Sequence, residues 1–76
     1  MATYNGHKNW NRWNVSLWIA NDEGLYNLAR RCIRRCRTRE DAARTMLESL
    51  SDAGITATPD GAPYTVTAIR AAMVGL

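Results

Sequence analysis

The sequence predicts an all-α fold, a compact single-domain bundle of about four short helices over residues 1–76. Three observations carry that expectation. Apolar residues recur at spacings of three and four in four separate stretches, the mark of amphipathic helices. The stretches are introduced by short polar side chains able to cap a helix start. No repeat, low-complexity segment or linker divides the chain, and 76 residues suffice for one core only.

Met1 to Lys8 reads as a short arm with a turn signal at Asn5-Gly6. Asn9 or Asn11 can cap a first helix, because a short amide satisfies free backbone N–H groups. Trp10, Trp13 and Leu17 follow at helical spacing, Trp18 widens the stripe, and Val15 and Ile19 extend apolarity toward the other side. So apolar a circumference places this helix at the centre of the fold. The stretch from Asn5 to Asp22 holds all three tryptophans and five asparagines. Asn14 lies four residues from both Trp10 and Trp18, inside the tryptophan stripe. A buried amide without partners costs about 1–3 kcal/mol. Asn14 is therefore expected to bond to backbone, in a loop or the N-terminal arm, and to staple it to a tryptophan-rich core. An exposed Trp/Asn recognition surface is the alternative.

Asn21-Asp22 ends that pattern and caps the next element, a second helix starting near Glu23, where negative charge suits the helix dipole. Its apolar stripe is Leu25, Leu28, Ala29, Cys32, Ile33 and Cys36, with Arg30, Arg31, Arg34 and Arg37 opposite and Arg35 on the flank. Thr38 closes this run and has capping-box spacing to Asp41. Ala42, Ala43, Met46, Leu47 and Leu50 form the stripe of a third helix, which Gly54-Ile55 ends as a glycine C-cap with an apolar contact after it. Thr56 to Tyr64 is a loop whose Pro59-Asp60-Gly61 sets a turn, either a tight hairpin or an extended connection. Thr65 caps a fourth helix, with the stripe Val66, Ile69, Met73 and Leu76, running to the C-terminus.

The net charge of +3 is unevenly spread. Nine of the ten cations are arginine, and six of those lie between Arg30 and Arg39 with no acid among them. Self-repulsion in such a stripe is unfavourable unless an anion relieves it. Arginine, more than lysine, favours bidentate contact with carboxylate or phosphate. The bland reading is a solvated face paired with carboxylates such as Glu40 and Asp41.

Catalytic chemistry is poorly supplied. His7 is the only histidine, and with Cys32 and Cys36 it falls one ligand short of a closed structural zinc site. Two buried thiols and a surface imidazole account for these residues without a metal. Two cysteines four apart on one helix have poor geometry for a disulfide. There is no glycine-rich phosphate loop. Asp22-Glu23 and Glu40-Asp41 sit at helix starts, where the dipole explains them. No cofactor is expected. No secretory signal opens the chain and no apolar run approaches a membrane span, so a reducing cytoplasm is the expected compartment.

"NGHKNWNRWNVSLWIAND" resembles the opening motif, roughly N-G-x-x-N-x-x-T-W-N-V-x-L-W-x-x-N-D, of small uncharacterised proteins of phages and other mobile elements. Asn5-Gly6, Asn9, Trp13-Asn14-Val15, Leu17-Trp18 and Asn21-Asp22 match, and Arg12 replaces the threonine. The resemblance implies a mobile-element origin and no particular chemistry. Small proteins from such genomes often bind and inhibit host factors, anti-CRISPR and anti-restriction proteins among them. "MLESLSDAGITATPDGAPYTVTAIRAAM" bears a looser resemblance to the DNA-binding region of large serine recombinases, through Leu50, Gly54-Ile55, Thr58, Gly61, Thr65 and Ile69-Arg70, with Tyr64 for a tryptophan. It implies a helix–turn–helix-like unit, although Arg70, Thr65 and Thr67 are thin equipment for reading base edges.

The expected function is that of a non-enzymatic binding protein that docks on a host protein or nucleoprotein complex and inhibits it. The expected contact residues are Arg30, Arg31, Arg34, Arg35, Arg37 and Arg39, with Lys8, Arg12 and tryptophan edges in addition. The alternative is a small DNA- or RNA-binding regulator that places the same arginines on phosphates. An enzyme subunit without an active site of its own is a third option. A monomer or a homodimer fits the chain, and no membrane partner is expected.

Overall fold

Helix starts in this chain are fixed by short polar side chains that take up free backbone N–H groups. The structure, a computed structural model, describes residues 9–76. Its four helices are α1 (Trp10–Asn21), α2 (Glu23–Arg35), α3 (Arg39–Asp52) and α4 (Val66–Met73). Asn9, not Asn11, caps α1, its Oδ1 accepting from the Arg12 N–H at 2.9 Å. Asp22 caps α2 through the Leu25 N–H, Thr38 caps α3 through the Asp41 N–H and Thr65 caps α4 through the Ala68 N–H. The expected all-α bundle is what the chain forms. The arm up to Lys8 lies outside the described residues.

Two helix ends differ from expectation. Cys36 is the extended C-cap of α2, with ψ 152°, so the helix stops at Arg35 and Cys36 and Arg37 lie beyond it. The last helix stops at Met73, short of the C-terminus, where Val74 turns extended and Gly75 takes φ 87°. The glycine end of α3 is as expected. Gly54 has φ 78°, its N–H donates to the Ser51 carbonyl, and the Ile55 N–H reaches back to the Leu50 carbonyl at 2.8 Å. That pairing is the Schellman arrangement.

The four helices share one core. α1 packs most extensively on α4, and α3 lies against both α4 and α2. Its largest fully buried side chains are Ile19, Met46, Ile69, Met73, Val15 and Asn14. This corrects the expectation of a tryptophan-rich core. Trp10 and Leu17 are each 39% exposed, and Trp13 and Trp18 are half-buried. The reason is the partner of α1. Successive residues of a helix turn by about 100°, which puts Asn14, Val15, Trp18 and Ile19 on one side and Trp10, Trp13 and Leu17 on another. The buried residues of α4 are Ala68, Ile69, Ala72 and Met73. Two of these are alanines, and helices that meet over such small side chains come close. Val15 and Ile19 join these residues in the core, and the indoles are left more exposed.

The loop between α3 and α4 is a tight hairpin, one of the two forms its sequence allowed. Ala57 and Pro63 make an antiparallel bridge, and no named strand occurs among the described residues. The Thr58 N–H donates to the Ala62 carbonyl and the Gly61 N–H to the Thr58 carbonyl, each at 2.8 Å. Pro59 suits the second position of this turn, and Gly61, at φ 95°, supplies the left-handed residue after it.

Side chains hold this hairpin to α1. Asn14 is 2% exposed and Thr58 4%. The Asn14 Nδ2 donates to the Asp60 Oδ2 at 2.8 Å, and its Oδ1 accepts from the Thr58 hydroxyl at 2.6 Å. The Trp18 indole N–H donates to the same Asp60 oxygen at 2.8 Å. Asn14 thus staples a loop as expected, but its partners are side chains and not backbone. Asn21 folds back onto its own helix, donating to the Leu17 carbonyl.

The hydrogen bonds from Asn14 and then Trp18 hold the Asp60 carboxyl below its ordinary range. A carboxyl depressed in the folded state adds stability above its unfolded value, and that stability is lost as pH falls through the folded value. We expect the urea midpoint to drop on acidification below about pH 4, the unfolded aspartate range. In Asp60→Asn that acid limb should be shallower. Superimposable acid limbs for the two proteins, in urea melts stepped through pH, would contradict this role for Asp60.

Candidate functional site

The arginine face is built by α2, the most sharply amphipathic of the four helices. Asp22 and Glu23 complement its N-terminal dipole, and Arg34 and Arg35 lie in its last turn, where positive charge is favourable. Ala29 and Cys32 are buried, with Leu25, Leu28 and Ile33 packed against the core. This anchored side forces the arginines outward. Arg30, Arg31, Arg34 and Arg35 are all exposed. Arg30 stands one turn from Arg34 and Arg31 one turn from Arg35, so like charges are stacked in pairs, which is locally unfavourable.

These charges are not internally neutralised. Among the described residues the ion pairs are Glu40 with Arg44 at 3.1 Å and Glu40 with Arg70 at 4.0 Å. Glu40 therefore serves α3 and α4, and the pairing of the stripe with Glu40 and Asp41 does not form. Arg30 lies over the Tyr26 ring at 5.7 Å and donates to its hydroxyl at 3.1 Å, which orients it without cancelling its charge.

The expected contact residues do not share one surface. Arg30, Arg31, Arg34 and Arg35 form the helical face. Arg37 is exposed but follows the extended Cys36, so its predicted place on the helix is corrected. Arg39 and Arg12 belong elsewhere. They line a second concavity with Arg70, between α1, α4 and the start of α3. Lys8 and His7 lie outside the described residues. Arg70 lies outside the expected contact residues, and no local pattern links it to residues 31 and 58 positions earlier.

Other reactive groups are engaged structurally. Both cysteines are free. Burial, then the neighbouring Cys36, pushes the Cys32 thiol above its ordinary value, so it is a poor thiolate source. The Cys36 Sγ lies 3.6 Å from the Thr45 hydroxyl. A cavity of about 530 Å³ opens beside Trp18, Leu25, Leu28, Leu50, Ile55 and Tyr64. The Tyr64 hydroxyl at this wall is raised in pKa by burial and then by Asp22, and the Asp22 carboxylate is committed to capping α2. Among the described residues no cluster of three histidine, cysteine, aspartate or glutamate side chains could hold a metal ion. No helix among them is long and apolar enough to cross a membrane.

The architecture defines a small helical protein with a cationic exterior helix. Residues 1–75 match a family of unknown function, DUF7249, and the chain belongs to that family. No curated protein and no solved structure gives a significant match.

Proposed function

We propose that this chain is a non-catalytic binding protein of mobile-element type that docks through α2 on an acidic surface of a host protein or nucleoprotein complex and inhibits it. One observation carries the reading. Four guanidinium groups, of Arg30, Arg31, Arg34 and Arg35, stand on a rigid helix with no carboxylate paired to them among the described residues. A helix that stacks like charges in water gains when an anionic partner covers them. Planar guanidinium forks match carboxylates bidentately. The likeness of residues 5–22 to small phage proteins supports a host target, and a host target implies action in the host cytoplasm.

Affinity capture from bacterial lysate, with and without nuclease, tests the reading. The wild-type chain should retain a partner after nuclease treatment. The fourfold variant Arg30→Glu, Arg31→Glu, Arg34→Glu, Arg35→Glu should lose it while keeping its helical circular dichroism. If nuclease releases everything, the arginines act on nucleic acid, and retention should then fall steeply with salt. If the variant captures the same partner, the contact surface is not α2.

A further inference from the structure

We infer that the groove between α1, α4 and the start of α3 is a binding site for a phosphate-class dianion. This goes beyond the docking reading, because no residue of α2 lines the groove. Arg12, Arg39 and Arg70 come from three different helices and converge on one concavity of about 320 Å³. Convergence from three elements is unlike the stripe on α2, where periodicity alone places the charges. It gathers three cations around one concavity, which is unfavourable without a counter-ion.

The groove supplies only part of that counter-charge. Glu40 is the one carboxylate among the lining residues, and it is shared between Arg70 at 4.0 Å and Arg44 at 3.1 Å. Three lining arginines against one lining glutamate leave a surplus of two positive charges around the groove. Arg39 is tethered by a long bond of 3.4 Å from its Nε to the Met73 carbonyl. The Arg12 Nε is buried with no hydrogen-bond partner among the described residues. Neither has a carboxylate partner among the described residues.

The donors suit a particular anion. A planar carboxylate is satisfied by one fork, whereas a tetrahedral oxyanion offers several oxygens to guanidinium groups arriving from different directions. Two negative charges match the surplus. Thr67 adds a hydroxyl to the wall, and Val66, Ala71 and Val74 make part of it apolar. An apolar wall lowers the local dielectric and strengthens the attraction.

The test is a titration of the full chain with inorganic phosphate at constant ionic strength, above the second ionisation of phosphate, read by amide NMR. The signals of Arg12, Arg39, Thr67 and Arg70 should shift saturably, while those of Arg30 and Arg34 stay still. Arg70→Gln, at an exposed site, should raise the half-saturating concentration about tenfold. Glu40→Gln, which removes the opposing carboxylate, should lower it about threefold. A second arm uses a nucleoside 5′-monophosphate. Saturation at the same concentration as phosphate assigns the site to the free ion, and tighter saturation assigns it to a phosphate carried on an organic body that uses the apolar wall. Shifts that rise linearly and equally across all arginines, or two variants that titrate like the wild type, would overturn the proposal. The α2 charge-reversed chain should bind phosphate normally, which separates failure here from failure of the docking reading.

Discussion

Asn14→Ala is expected to destabilise the fold by about 2–3 kcal/mol, because it breaks the buried polar link that Asn14 makes between α1 and the hairpin. The Asn14 amide uses both ends. Its Nδ2 serves Asp60 and its Oδ1 receives the Thr58 hydroxyl. Alanine removes both bonds and leaves that hydroxyl, in a residue 4% exposed, without its acceptor. A buried polar group without a partner carries its full desolvation cost. For a domain of this size each kcal/mol moves Tm by about 4–8 °C, so the melting temperature should fall by more than about 8 °C. Asn14→Asp should also destabilise, since it would set a second carboxylate against Asp60. A urea midpoint for Asn14→Ala close to wild type would mean that the hairpin is held by something else.

Ile19→Ala is expected to cost about 3 kcal/mol, and Trp10→Ala less than about 1 kcal/mol. Ile19 is fully enclosed, whereas Trp10 is 39% exposed. On side-chain size alone the order would be reversed, because an indole carries more apolar area than a sec-butyl group. The comparison is therefore a direct test of where the core lies. Chemical denaturation of the two variants reads it. Greater loss in Trp10→Ala would restore the tryptophan-centred core and contradict the packing of α1 on α4.

The parts of this fold legible in the sequence were those decided within a few residues. Asp22, Thr38 and Thr65 cap the helices expected of them, and Gly54 closes α3, because capping links positions only two to five apart. The arginine face of α2 was legible for the same reason, since its anchoring side carries an unambiguous stripe. The side of α1 that is buried was not. A helix with apolar residues around most of its circumference offers several stripes, and the alanines of α4 select among them.

The candidate sites divide along the same line. Arg30, Arg31, Arg34 and Arg35 came from periodicity, but Arg12, Arg39 and Arg70 meet only through tertiary packing. The α2 boundary at Arg35 also escaped the stripe, since Cys36 continues the pattern while its backbone is extended. Asn14 was marked as a staple by its place among apolar residues, yet its partners Thr58 and Asp60 lie more than 40 residues away.

The most extensive helix pairing joins the first helix to the last. During translation α1 is made before α4, and until α4 is complete its aliphatic side has no permanent cover. Closure of the bundle must wait for α4, so the newborn polypeptide passes through a stage in which Val15 and Ile19 are open to chaperones and proteases. A pause in synthesis between the two helices should prolong that exposure and lower the yield of folded protein.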